Sequence, residues 1–388
     1  MFPKLRFKEF DDDWSPYVLK DFVSFRKGKG ISKADISENG INECIRYGEL
    51  YTTYGQVIDH IHSKTNVSKS ECILSKAGDV IIPASGETQI DIATASCVLH
   101  DDIILSGDLN ILSHEENGSW LAYYLSSAKK LEIAQLAQGN SVVHLYSSQL
   151  KDLKINKPSK EEQTKIASFL SNVDEKISQL TQKLELLSQY KQGMMQKLFS
   201  QQIRFRADDG SEFGEWESIL VKDIFDVTRG QVLAVSNTAA VADTDYKYPV
   251  FSSQTKQKGL MGFYKKYLFE DALTWTTDGA NAGDVNFRKG KFYCTNVCGV
   301  LLSKKGYANL CIAEILNKVT HKYVSYVGNP KLMNNVMSEI PITIPINLEE
   351  QTKIANFLSA IDQKIEVVAQ QIEQAKTWKK GLLQQMFM

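Results

Sequence analysis

Several groups of side chains have types and spacings that could do chemistry. Histidines alternate at His60 and His62, and Cys294 and Cys298 stand close together, with Cys311 and His321 further on. Structural zinc sites show tightly spaced ligand pairs in twos, and neither group has a second close pair, so buried thiols and loop histidines are expected and no metal. The carboxylates Asp11-Asp12-Asp13 and Glu115-Glu116 read as solvated loop charge. No G-x-x-x-x-G-K-[ST] phosphate loop occurs, and Gly28-Lys29-Gly30 lacks the third glycine and the following helix of a dinucleotide site. Neither a G-x-S-x-G elbow nor an H-E-x-x-H pair is present. Asn329-Pro330-Lys331 is not the Asn/Asp-Pro-Pro-aromatic loop with which amino-methyltransferases hold a flipped base. The expectation is a chain that catalyses nothing by itself and carries no cofactor of its own.

What remains is binding chemistry. Lys27, Lys29 and Lys33 cluster near the start of the chain, and Arg229 occupies a similar place later on. Lys256, Lys258, Lys265 and Lys266 surround Phe263, Tyr264 and Tyr267, and Arg288, Lys289 and Lys291 follow. Cations neutralise phosphates whatever the base sequence. Two glycine-containing polar loops bunch groups able to meet base edges: Ser85, Glu87, Thr88 and Gln89 in one, Thr277, Asp278 and Asn281 in the other. Asn and Gln grip adenine with two hydrogen bonds, and Asp or Glu accepts from cytosine. Two further loops, with Asn140 and with Asn329 and Lys331, occupy equivalent places. Taken singly, each cluster is equally an ordinary solvated surface and each loop a plain turn.

The elements that must position these residues emerge from an internal repeat. EEQTKIASFLSNVDEKI begins at Glu161 and EEQTKIANFLSAIDQKI at Glu349, an offset of 188. The likeness runs on to Phe199 and Phe387, with about half of the positions identical. A weaker repeat opens each half: Leu5-Arg6-Phe7-Lys8, Trp14, Lys20-Asp21 and Gly28 answer Ile203-Arg204-Phe205-Arg206, Trp216, Lys222-Asp223 and Gly230. The interiors between these marks have diverged.

The repeated segments read as long helices. Ile166, Leu170, Val173, Ile177, Leu180, Leu184 and Leu187 step by fours and threes, as do Ile354, Leu358, Ile361, Ile365, Val368 and Ile372. A narrow stripe sustained over several heptads is the seam of a coiled coil, whereas a helix lying only on its own body shows a wider apolar face. The two helices are expected to pair, parallel or antiparallel; an antiparallel pair would put one variable body at each end. The bodies read as mixed α/β, with strand-like runs at Ile73-Leu74, Val80-Ile81-Ile82, Ile103-Ile104-Leu105, Asn110-Ile111-Leu112, Tyr248-Pro249-Val250-Phe251 and Val297-Cys298-Gly299-Val300-Leu301-Leu302. One amphipathic helix is expected from about Ser119 to Leu136, and another from about Leu310 through Val319. The organisation is therefore α+β: bodies at 1–158 and 201–346, helices at 159–200 and 347–388.

Composition agrees. The 388 residues are 43% hydrophobic and 23% charged, which excludes disordered and collagen-like classes. A net charge of −1 argues against a uniformly basic nucleic-acid coat but not against local basic surfaces. No apolar run is long enough to span a membrane, the opening residues lack a secretory signal, and six scattered cysteines fit a reducing cytoplasm.

The duplicated EEQTKIA…FLS…D…KI segments, preceded by Lys157-Pro158 and Ile344-Pro345, together with the paired Trp14 and Trp216, resemble the specificity subunit of type I restriction–modification systems over essentially the whole chain. The resemblance implies two target recognition domains, each reading one half of a gapped asymmetric site in double-stranded DNA, joined by antiparallel helices whose length sets the gap. It also implies two modification subunits, which bind S-adenosylmethionine and methylate adenine, and restriction subunits that use ATP and Mg. Two other readings stay open: a non-DNA structural adaptor built on a coiled coil, and the specificity subunit of a type IIB-like system.

Overall fold

The structure, a computed structural model, describes residues 3–139, 142–254, 256–303 and 305–387. The chain forms two compact units, one from residues 1–182 with 369–388, the other from residues 183–368. Both repeated segments are unbroken helices of 40 residues, Lys160–Phe199 and Leu348–Phe387. Their starts are well specified. The Ser159 hydroxyl accepts from the Glu162 N–H and the Asn347 side chain from the Glu349 N–H, while Glu161, Glu162, Glu349 and Glu350 complement the positive end of the helix dipole. Every expected seam residue is buried or half-buried; Ile177, Leu184, Leu187 and Ile365 are the half-buried ones.

The first unit is framed by a two-stranded antiparallel ribbon, Ser15–Val18 with Lys154–Lys157. Its main sheet has five strands in the order Ser24–Lys27, Leu109–Ser113, Val80–Pro83, Ser96–Val98 and Val57–Ile58. A four-stranded sheet orders Ser63–Thr65, Asn42–Ile45, Ile104–Leu105 and Ile73–Leu74. The strands Val80–Pro83 and Leu109–Ser113 are buried almost throughout, as their unbroken apolar runs require. The core gathers Trp14, Trp120, Tyr123 and Tyr124 with Ile166, Leu170 and Val173 of the first long helix and Leu382, Met386 and Phe387 of the second. The long-helix segments in this unit are antiparallel: Asp174 meets Lys379, while the earlier Ile166 and Leu170 share their cluster with the later Leu382 and Met386.

The second unit repeats the frame on a different interior. Its ribbon pairs Glu217–Leu220 with Pro341–Ile344. A single six-stranded sheet orders Asp226–Arg229, Cys298–Leu302, Phe269–Thr276, Val285–Cys294, Tyr248–Phe251 and Leu260–Tyr264. The core joins Trp275, Leu273 and Leu301 to Cys311, Ile312 and Leu316 of the helix Leu310–Thr320, and to Leu198, Ile354 and Leu358 of the long helices. Here Lys191 meets Asp362, and the later Leu198 clusters with the earlier Ile354, so these segments too are antiparallel.

The helix expected from Ser119 to Leu136 is two helices, Gly118–Ser127 and Lys130–Leu136. Ser126 accepts from the Ala95 N–H and donates to the Ala95 carbonyl, and Ser127 donates to the Tyr123 carbonyl; hydroxyls that engage the backbone in this way compete with helix propagation. The long strands Phe269–Thr276 and Val285–Cys294 and both framing ribbons are structural findings that the sequence patterns did not show.

Candidate nucleic-acid interface

The repeated helix starts act as brackets for each unit. Glu162 is fully buried and takes two hydrogen bonds, both 2.7 Å, from Arg6; Glu350 does the same with Arg204 at 3.0 and 2.9 Å. These bidentate pairs tie the start of each half to its helix. Gln163 and Gln351, also fully buried, donate to the carbonyls of Pro158 and Pro345 at 3.1 and 2.7 Å. Their amide oxygens accept from the Asn117 backbone N–H (3.0 Å) and the Asn309 side chain (2.7 Å). Asn117 and Asn309 in turn cap the helices Gly118–Ser127 and Leu310–Thr320. The repeated Glu-Gln is thus a buried polar latch, satisfied on every side, which explains its persistence while the interiors diverge.

Onto these frames the structure places the candidate binding residues. Lys27 ends the strand Ser24–Lys27, and Arg229 ends the equivalent strand Asp226–Arg229; both are exposed. Each is followed by a glycine at a close backbone crossing. A Cβ on Gly28 would stand 1.9 Å from the Ser106 carbonyl oxygen, and one on Gly230 would stand 2.1 Å from that of Cys294. Lys27 and Lys29 edge a shallow groove that also involves Ser32 and Asp35, and Lys33 is exposed in the turn Lys33–Asp35.

The polar loops are paired. In the first unit Ser85–Gly86 forms a short antiparallel bridge with Val143–His144, and the Ser85 hydroxyl lies 3.1 Å from His144 Nδ1. In the second unit Asp278 bridges Lys331, whose Nζ is 3.8 Å from its carboxylate, and Asn329 donates to the same carboxylate. The two loops singled out in each half are therefore neighbours. Glu87, Thr88 and Gln89 are exposed, although Thr88 is engaged as the cap of Gln89–Ile92, and Gln89 donates to the Ala137 carbonyl at 3.4 Å. Asn281 is half-buried in the turn beyond Asp278. Asn140 and the side chain of Lys256 lie outside the described residues.

Three candidates are buried: Ser85, whose hydroxyl is turned to His144, and Thr277 and Arg288. Thr277 is fully buried and donates to the Val297 carbonyl. Arg288 lies over Phe251 with its guanidinium carbon 3.7 Å from the ring centre, and donates to Thr274 Oγ1 (2.9 Å) and the Lys258 carbonyl (2.7 Å). Burial lowers its pKa to about 10. Its charge is used inside the sheet, where it holds the turn bearing the exposed Lys258. Lys289 and Lys291 remain exposed, and Lys291 sits 4.7 Å over Tyr267, whose hydroxyl holds it above the usual lysine range. His144 was not among the sequence candidates; only the alignment of the two halves loop by loop could have found it. His60 and His62 stack edge-on at 5.3 Å, and among the described residues no three His, Cys, Asp or Glu side chains are grouped to hold a metal ion. Nor is any described helix long and apolar enough to cross a membrane.

Two frames closed by the same buried latch, each carrying a paired polar loop, make this a duplicated protein. The family model described as the type I restriction modification DNA specificity domain matches this chain twice, over residues 11–189 and 214–377, and the chain belongs to that family. A Mycoplasma pneumoniae chain named as a type I specificity subunit is 30% identical over 230 residues, 57% of this chain and 80% of its own length. The specificity subunit of a type I restriction enzyme from Methanocaldococcus jannaschii is 24% identical, covering 96% of this chain and 91% of that one. The crystal structure of a type I S subunit from M. genitalium superposes with a TM-score of 0.70 at 17% identity, covering 100% of this chain and 99% of the other, which establishes a shared fold. The chain is a type I restriction–modification specificity subunit by family, and the adaptor reading is not favoured.

Proposed function

We propose that each unit reads one half of a gapped, asymmetric DNA site, that the paired long helices fix the gap and dock two adenine-modification subunits, and that this chain does no catalysis. S-adenosylmethionine, ATP and Mg would then reside on the modification and restriction subunits. The observation that carries the reading is duplication with selective divergence. The latch residues Arg6–Glu162 and Arg204–Glu350 are the same chemistry twice, while the loops about Ser85 and Asp278 carry different side chains. A protein that reads two unlike half-sites needs this combination.

Phosphate contacts from Lys27, Lys29, Lys33, Arg229, Lys258, Lys289 and Lys291 would give register, and the loops about Ser85 and Asp278 would meet base edges. Two modest discriminations at a fixed separation multiply, because the second half is engaged fully only when it lies at the right helical phase. A net charge of −1 is workable if the partner subunits supply much of the DNA clamp, so the chain without them is expected to bind DNA weakly.

The test is a comparison of genome-wide adenine methylation with and without this chain, its modification partner being present in both. Loss of one gapped motif is expected. An unchanged methylome would overturn the reading.

A further inference from the structure

The two reading loops are closed by the same backbone pairing and carry two different side-chain pairs. In the first unit Gln138 and His144 pair with each other at both ends, their N–H groups donating reciprocally to the carbonyls at 2.9 and 2.7 Å. In the second unit Ser325 and Lys331 do the same at 2.8 and 2.9 Å, and the sequence separation between the paired residues is identical. Each loop also contains a glycine with positive φ, Gly139 (126°) directly after Gln138 and Gly328 (78°) three residues after Ser325, so the likeness lies in the closing pair and not in the loop tip. The residue directly after each closing pair is a fully buried leucine. Leu145 donates its N–H to the Ala84 carbonyl, and Leu332 donates to that of Thr277. The carbonyls of those leucines are held as well, by the Asn110 side chain and the Trp275 indole, both at 3.0 Å. His144 and Lys331 are thus the same position, as are Ser85 and Asp278.

Where a repeated pair serves the frame, its chemistry is kept, as in Arg6–Glu162 and Arg204–Glu350. Here the closing backbone pairing is kept and the chemistry changes, from a hydroxyl–imidazole pair to a carboxylate–ammonium pair, with His144 and Lys331 both exposed. We propose that His144 and Lys331 are the specificity-determining residues at matching positions of the two half-sites, with Ser85 and Asp278 as the residues that position them. The inference rests on the half-site reading above.

Their chemistries ask for different bases. Lys331 offers donors only, suited to guanine O6 and N7. The Asp278 carboxylate aims that ammonium and partly balances its charge. With Nδ1 engaged by Ser85, His144 presents Nε2 to a ligand, as donor or acceptor according to which partner carries the shared proton. A lysine in its place would remove the acceptor option and add a fixed charge.

The experiment exchanges the pairs in the assembled complex with modification subunits. One variant carries Ser85→Asp with His144→Lys, a second carries Asp278→Ser with Lys331→His, and a third, His144→Gln, keeps polarity and size with minimal disturbance. Methylation and duplex binding are measured on a set of sites with every base pair of each half substituted singly. The expected result is a change of about tenfold or more in base preference at one position, in the half read by the altered unit, with the other half and the spacer unchanged. Unchanged preference in all three variants, with methylation retained, would overturn the proposal. So would an equal loss on every substituted site, which marks a phosphate-binding or structural role. If the unaltered complex recognises no gapped site at all, the half-site reading itself fails instead.

Discussion

Lys379 Nζ lies 2.6 Å from the carboxylate of Asp174, across the two long helices of the first unit. Shifted by the repeat, the same contact is Lys191 with Asp362 at 2.7 Å in the second unit, donor and acceptor having exchanged helices. Both pairs are tied into their bodies: Asp174 also accepts from the Tyr123 hydroxyl at 2.7 Å, and Lys191 also reaches Glu314 at 3.3 Å. Burial pulls Lys191 down, but the hydrogen bond it donates to Asp362 and the field of Glu314 outweigh this and hold the ammonium above its ordinary range.

Removing either lysine leaves a carboxylate in a partly desolvated seam. Lys379→Met and Lys191→Met are each expected to cost about 2 kcal/mol. Because the two pairs act in different units, the double variant is expected to show the sum. Urea unfolding followed by circular dichroism checks this; a negligible loss in both single variants would show the pairs to be surface decoration.

Arg288 and Lys289 adjoin in sequence and do opposite work. Arg288→Lys loses the fork that serves Thr274 and Lys258 together, and is expected to destabilise the second unit by about 2 kcal/mol. Lys289→Ala is expected to leave the melting temperature unchanged and to reduce the slope of log affinity against log salt by about 1 in the assembled complex. Melting curves and binding titrations at several salt concentrations separate the two roles.

The spacing role of the helices makes a geometric prediction. Four residues inserted after Leu180, with four more at the repeat-equivalent point after Val368, lengthen each helix by roughly 6 Å. The recognised site is expected to keep both halves and gain spacer. Methylation of the original site with its spacer unaltered would rule the helices out as the measuring element.

The helices were legible because a seam needs only apolar residues at steps of three and four, and Ile166 to Leu187 supply them without a break. Short buried strands such as Val80–Pro83 were legible for a similar reason. Phe269–Thr276 was not, since Glu270 and Asp271 open it and polar Thr274 sits buried within it beside Arg288. Among the candidate residues, Thr277 and Arg288 show the limit of reasoning from type alone. A hydroxyl or a guanidinium reads identically in sequence whether it meets a ligand or a backbone carbonyl, and only the fold decides. His144 escaped notice because its partner Ser85 is far away along the chain.

The backbone N–H of Leu5 donates to the carbonyl of Gln385 at 2.9 Å, and Phe387 lies against Trp14 and Tyr124. Residues 369–387 therefore complete the core of the first unit, which is assembled from two stretches of chain far apart in sequence. In that unit a substitution at Phe387 is therefore felt at Trp14 and Tyr124, more than two hundred and sixty residues away along the chain.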